Sequence, residues 1–226
     1  MRVKIIACEV MQEELLSIEP LDGVDYEFVP MKFHLYPDKL HIELQRIIDK
    51  SIDYSRIILA FGLCGGAAKN LKSASSILTI PRVHDCISIF LGSRKNYERI
   101  SKIKKGTFYL TSGWMRTEKS ILSEHERISR KYGEKKSLKI LNKMYDSYKR
   151  ILYIQTGNKN EEDSIEKSKE ISKLLSLDYE MMKGSNEFIK KIALGPWNDE
   201  EFININPKNS ISEEDFGICN SIFTNI

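Results

Sequence analysis

Arg56-Ile57-Ile58-Leu59-Ala60-Phe61 runs without a break into Gly62-Leu63-Cys64-Gly65-Gly66. A short apolar run rich in β-branched residues and closed by glycines reads as a strand buried on both faces, the kind found inside a parallel sheet. The glycines mark a tight turn at its carboxyl end, where a positive φ costs no steric penalty. Residues 3–8 (Val-Lys-Ile-Ile-Ala-Cys) upstream and 77–81 (Ile-Leu-Thr-Ile-Pro) downstream have the same character, and 26–30 supplies another strand. Between these runs lies an amphipathic stretch over 37–50, with Leu40, Leu44, Ile47 and Ile48 on one face and Pro37 suited to a first helical turn.

The alternation continues to the carboxyl terminus. A helix is expected over 90–103 and a strand over 106–112. Residues 116–149 read as helical and charged, with an interruption near Gly133. Strands at 150–155, 178–182 and 202–206 then alternate with helices at 161–176 and 187–194. This pattern predicts an α/β fold with a mainly parallel, Rossmann- or flavodoxin-like sheet. It is divided into two α/β lobes: residues 1–115 with the cysteine loops, and 116–226 with a helical connection and a second, smaller lobe. The last twenty residues are weakly patterned and read as a tail or a sheet edge.

Composition narrows the function classes. At 41% hydrophobic and 30% charged, the 226-residue chain is ordinary globular protein rather than disordered. No apolar run approaches the roughly 18 residues of a membrane span, and the apolar start is too short for a secretory leader. The expectation is a cytoplasmic protein, in which four cysteines are core filler, catalytic groups or metal ligands rather than disulfides. Residues 94–150 carry 17 Lys and Arg against 6 Asp and Glu, an excess of 11 (17 − 6). Such a segment is a solvated helix face or a docking surface; with no nucleic-acid-binding motif beside it, nucleic acid is not the expected partner.

Three of the cysteines fall where a parallel sheet binds ligands, outside the carboxyl ends of its strands. Cys8 ends the first strand, Cys64 follows the third and Cys86 follows the fourth. Gly62, Gly65 and Gly66 could form a backbone nest for an anion or for cluster sulfides, and Gly157, after the 150–155 strand, could add backbone donors. The loop Pro81-Arg82-Val83-His84-Asp85-Cys86 gathers a guanidinium, an imidazole, a carboxylate and a thiol. Arg82 fits an anion clamp, His84 an acid/base role and Asp85 an N-cap. His34, after the second strand, is a further candidate at the same edge. Cys219 lies in the tail and reads as incidental. Trp114 reads either as a cover over the site or as a core anchor. Walker, Gly-x-Gly-x-x-Gly, Gly-x-Ser-x-Gly and Cys-x-x-Cys patterns are all absent.

With these motifs in place, the chain resembles the DUF1638 family. The resemblance is carried by Ile6 to Val10, His34 with Pro37 and Leu40, Gly62-Leu63-Cys64-Gly65, Ile80 to Cys86, Leu91 to Arg94, Gly106-Thr107, Leu110 to Trp114 and Thr156-Gly157. It departs at Gly66, where a polar residue is commoner. The resemblance implies a setting near corrinoid-dependent methyltransferase systems of anaerobes, hence one-carbon metabolism.

The residues themselves point to a metal-dependent protein with ligands Cys8, Cys64 and Cys86. A [4Fe-4S] cluster with one open iron is preferred and zinc is the alternative. The expected activity is that of a metal-dependent transferase or lyase in one-carbon, methyl-transfer or sulfur chemistry, acting on a small anionic or methylated substrate. Two other functions stay open. One is a metal-binding accessory docking onto a corrinoid methyltransferase component through 94–150; the other is an anion-binding module without metal.

Overall fold

In a computed structural model of the chain, the residues described are 2–19, 21–116, 121–158 and 161–217. The strands are β1 (Val3–Cys8), β2 (Val24–Val29), β3 (Arg56–Ala60), β4 (Ile77–Pro81), β5 (Thr107–Leu110), β6 (Arg150–Gln155), β7 (Asp178–Lys183) and β8 (Phe202–Ile205). The helices of the first half are α1 (Gln12–Leu16), α2 (Pro37–Lys50), α3 (Cys86–Phe90), α4 (Arg94–Ile103) and α5 (Ser112–Met115). Those of the second half are α6 (Ile121–Tyr132), α7 (Glu134–Met144), α8 (Glu161–Leu175) and α9 (Glu187–Leu194).

The strands form two sheets, one of order β2-β1-β3-β4-β8 and one of order β5-β6-β7. All pairings are parallel except β4 with β8, so the chain has the mainly parallel α/β architecture that the alternation predicts. The two sheets define two compact units, residues 1–94 with 186–226 and residues 95–185.

This division differs from a boundary near residue 115. β5 pairs with β6, Thr107 against Arg150 through Leu110 against Tyr153, and so belongs with the later strands. The place beside β4 is filled by β8, where the chain returns to the first unit. Its register is held by Asn204, whose Oδ1 accepts from Arg56 Nη1 at 2.8 Å and from Thr79 Oγ1 at 2.8 Å. Part of the carboxyl-terminal stretch is likewise built in. Ile211 exchanges backbone hydrogen bonds with Asn70 and Leu71, and Ile211 and Phe216 are fully buried.

In the first unit, Ile5, Ile6 and Ala7 of β1 and Ile57 to Ala60 of β3 are completely buried, as expected for inner parallel strands. The single helix expected over 90–103 is two. Asp85 caps α3 by accepting from the Ile87 amide, and Gly92, at φ +80°, interrupts the path before α4 begins. In the second unit, Leu110, Ile151 and Tyr153 of the sheet pack with Ile128, Leu141 and Ile171 of the helices. Trp114 packs against that core and is therefore an anchor of the second unit. Among the described residues no helix is long and apolar enough to cross a membrane.

Candidate functional site

The order β2-β1-β3-β4 fixes where chemistry can sit. After β1 the chain builds β2 on one side and then β3 on the other, so the carboxyl ends of β1 and β3 flank the point where the winding reverses. Loops diverge there and leave the crevice in which open α/β sheets bind ligands. Cys8 is the last residue of β1, and Cys64 lies four residues beyond β3. The two candidates nearest this point are thus both thiols.

Cys8 is buried to 1% exposure, and its sulfur accepts a hydrogen bond from the Val10 amide. The His34 ring approaches it from the short turn Met31–Leu35 that follows β2, placing Nε2 3.1 Å from Cys8 Sγ. That turn is tied to the end of β1 by Glu9, whose Oε1 accepts from the Met31 amide at 2.6 Å. The imidazole stacks on Phe61, centroids 6.2 Å apart. Burial pushes the His34 pKa down, and the Asp85 carboxylate opposes this only in part. The ring is therefore a neutral donor at neutral pH, the form that binds metals.

Cys64 takes φ +48°, and Gly65 and Gly66 follow at +67° and +92°. A side-chain-bearing residue in the left-handed region is uncommon and is held there by its surroundings. Here the surroundings are a clamp between two loops. The Leu63 and Cys64 amides donate to the Val83 and His84 carbonyls at 3.1 and 3.0 Å. A Cβ on Gly62 would lie 2.6 Å from the Asp85 nitrogen and from the His84 carbonyl carbon, so only glycine allows the loops to touch. On the far side, a Cβ on Gly65 would meet Pro37 at 3.2 Å, which sets the turn against the start of α2.

The electrostatics of the two thiols share one sign. Burial pushes Cys64 from its ordinary 9.0 to about 12; Asp85 adds to the rise, and the Gly62 amide bonded to the sulfur opposes it. Cys64 as a residue is only partly covered, whereas Cys8 is buried. Burial raises Cys8 as well, reinforced by Cys64 and Glu9 and opposed by the Val10 amide. Without a counter-ion both groups are neutral thiols, with the Asp85 and Glu9 carboxylates as the nearby negative charges.

Other candidates are placed differently. Arg82 is not available as an anion clamp: its guanidinium donates to three backbone carbonyls, those of Asp215, Asp199 at 3.0 Å and Phe202 at 3.3 Å. It fastens the end of β4 to the returning carboxyl-terminal segment. The glycine turn is not an open nest either, since the amides of Leu63, Cys64, Gly66, Ala67 and Ala68 all donate to carbonyls. Gly157 lies in the second unit, where its amide donates to Glu161 at 3.2 Å. Cys219 falls outside the described residues.

His84 and Asp85 join the Cys64 turn through the backbone clamp. Asp85 Oδ1 accepts from Ile87 N at 3.0 Å, and its Oδ2 lies 3.3 Å from His84 Nδ1. Cys86 is buried at the start of α3. It lies five residues beyond the end of β4, the strand two places from β1 in the sheet. Among the described residues, no three His, Cys, Asp or Glu side chains are grouped as a ready-made metal cage. Glu9 was not singled out by its residue type. Its role depends on the Met31 amide, a partner 22 positions away.

The fold and this edge define a two-unit α/β protein with a thiol–imidazole contact at the switch point of its larger sheet. The chain belongs to the DUF1638 family, described as proteins of unknown function, whose family model matches residues 28–193. No curated protein and no solved structure matches the chain.

Proposed function

We propose that the switch-point edge of the five-stranded sheet binds a soft divalent cation, zinc being the best match. Cys8 and Cys64 are the thiolate ligands and His34 is the imidazole ligand. The observation that carries this reading is the 3.1 Å approach of neutral His34 to Cys8, beside a second thiol and with the Glu9 and Asp85 carboxylates close by. Such charges attract cations and repel anions. With Arg82 and the loop amides already engaged, this favours a metal over the anion-binding alternative.

The donor set suits the ion, since thiolate and neutral imidazole are its usual ligands. Each sulfur also has a backbone N–H of the kind that supports metal-bound thiolates. The side chains are not spaced as a closed cage, so binding involves their reorientation. A [4Fe-4S] cluster would need Cys86, buried at the start of α3, as the third thiolate; with Cys8 and Cys64 the thiols beside the switch point, a single ion is the better reading. A bound soft ion keeps a thiolate ionised at neutral pH, and the corresponding reaction class is alkyl transfer to sulfur. That class agrees with the one-carbon setting implied by the family resemblance.

The test is anaerobic purification followed by metal and acid-labile sulfide analysis. One zinc per chain is expected in the wild type and in Cys219→Ala, with loss of zinc in Cys8→Ala and Cys64→Ala. Equal loading of Cys64→Ala and Cys219→Ala would refute the assignment. Iron with sulfide, lost in Cys86→Ala, would replace the single ion by the cluster.

A further inference from the structure

The Met31 amide finds its acceptor on a different part of the chain. It opens the short turn Met31–Leu35, and the first amides of such a turn have no acceptor within it. Pro30, just before it, offers no capping side chain. Glu9, the residue directly after β1, reaches across instead and accepts from this amide at 2.6 Å. Among the described residues the Glu9 carboxylate makes no other hydrogen bond or ion pair. Three positions along the same turn is His34, whose Nε2 lies 3.1 Å from Sγ of Cys8, the neighbour of Glu9. Two contacts therefore join the same two segments, one through a backbone amide and one through the thiol and the ring.

The ring has a second support in Phe61, the first residue after β3, on which it stacks with an interplanar angle of 24°. Cys8 is 1% exposed while His34 is only partly buried, so the ring is the outer member of the pair. Phe61 sets the plane of the imidazole but does not hold the turn that carries it. That turn has little packing of its own, with Lys32 exposed and Phe33 half-buried, and segments with few buried contacts open readily. We infer that Glu9 is the positioning residue of the Cys8–His34 pair, its carboxylate holding the imidazole over the thiol through the Met31 amide. This goes beyond the metal reading, because the contact it explains needs no ion.

The test is the rate at which iodoacetamide alkylates each cysteine of the full-length, chelator-treated protein, resolved by peptide mass spectrometry. A buried thiol reacts through local opening, so its rate reports what holds its cover in place. Glu9→Ala should speed Cys8 by about tenfold or more, the scale of losing a hydrogen bond to a charged group. Glu9→Gln removes the same charge but keeps an oxygen for the amide, and should stay within about threefold of the wild type. His34→Ala should speed Cys8 at least as much as Glu9→Ala does. Adding Glu9→Ala to it should change the rate by less than about threefold, because residues that act as one unit are not additive. Cys86, buried at the start of α3, is the internal control and should keep its rate throughout. Equal Cys8 rates in the wild type and Glu9→Ala overturn the inference. So does Glu9→Gln reacting as fast as Glu9→Ala, which assigns the effect to charge. A parallel rise at Cys86, which assigns it to general loosening, and full additivity in the double variant, which separates Glu9 from His34, overturn it as well. A wild type that takes up no zinc overturns the ligand reading alone, since these rates are measured without metal.

Discussion

Each unit places a glycine-bearing loop at the carboxyl end of its central parallel strand, and the two loops satisfy their backbones in opposite ways. After β6, the Thr156 and Gly157 amides donate to the Glu161 carboxylate at 2.8 and 3.2 Å, a residue at the start of the helix that follows. Asn158 donates to Ser112 at 2.9 Å, so this edge is closed by polar side chains. After β3, the Leu63 and Cys64 amides donate instead to backbone carbonyls of a loop twenty residues away, and thiols and imidazoles lie around the turn. The sheets differ in one further respect. β5-β6-β7 follows chain order, whereas β2-β1-β3-β4 reverses direction and opens a crevice at the reversal. A strand end becomes a candidate site through that reversal together with its side chains, not through a glycine loop alone.

The comparison would break most visibly at the ligands. Cys64→Ala should weaken zinc binding by more than about 100-fold, exceeding the range for an outer-shell partner, while Thr156→Ala should leave it unchanged. Chelator competition measures both, and a comparable loss in Thr156→Ala would erase the distinction between the edges.

Next in size is the glycine contrast. Gly62→Ala drives a Cβ to 2.6 Å from rigid backbone and should cost about 3 kcal/mol, the upper part of the overpacking range. Gly157→Ala meets no atom within 4 Å and carries only its positive φ of +78°, a cost of about 1–2 kcal/mol. Urea titration of the two variants gives the order, and the reverse order would show that the clamp around Gly62 is loose.

Arg82→Gln should lose about 2 kcal/mol of stability with the bonds that the charged group makes to carbonyls. Its zinc affinity should not change, and a parallel loss of affinity would return Arg82 to the site.

Acidity gives the finest discrimination. With the Cys64 thiol held at about 12, a metal must displace its proton, so affinity should fall about tenfold per pH unit of acidification for each proton released. In the metal-free protein the sign is opposite. The unfolded thiol ionises near 9.0 and the folded one near 12, so the stability contributed by the neutral buried thiol is complete below pH 9. It declines between 9 and 12 by up to about 1.4 kcal/mol per pH unit. Denaturation midpoints across that window should fall less steeply in Cys64→Ser than in the wild type.

Much of the first unit was legible locally. Strands at 3–8 and 77–81 and the helix at 37–50 agree with the structure, because buried parallel strands and amphipathic helices leave patterns within a few residues. Asp85 as an N-cap was readable for the same reason. Arg82 was not, since a guanidinium looks alike whether it meets a ligand or three carbonyls from residues 199–215, more than a hundred positions away. The pairing of His34 with Cys8 and the role of Glu9 likewise depend on strand order, which no local pattern encodes.

The sequence by itself determined the α/β class, the family and the presence of thiols, imidazoles and glycines at strand ends, all properties of neighbouring residues. Tertiary structure alone decided that β8 rather than β5 completes the larger sheet and that the winding reverses between Cys8 and Cys64. It also decided that Arg82 is consumed by backbone. These are outcomes of which distant segments pair, and pairing is settled by the burial and hydrogen bonding of the whole chain at once.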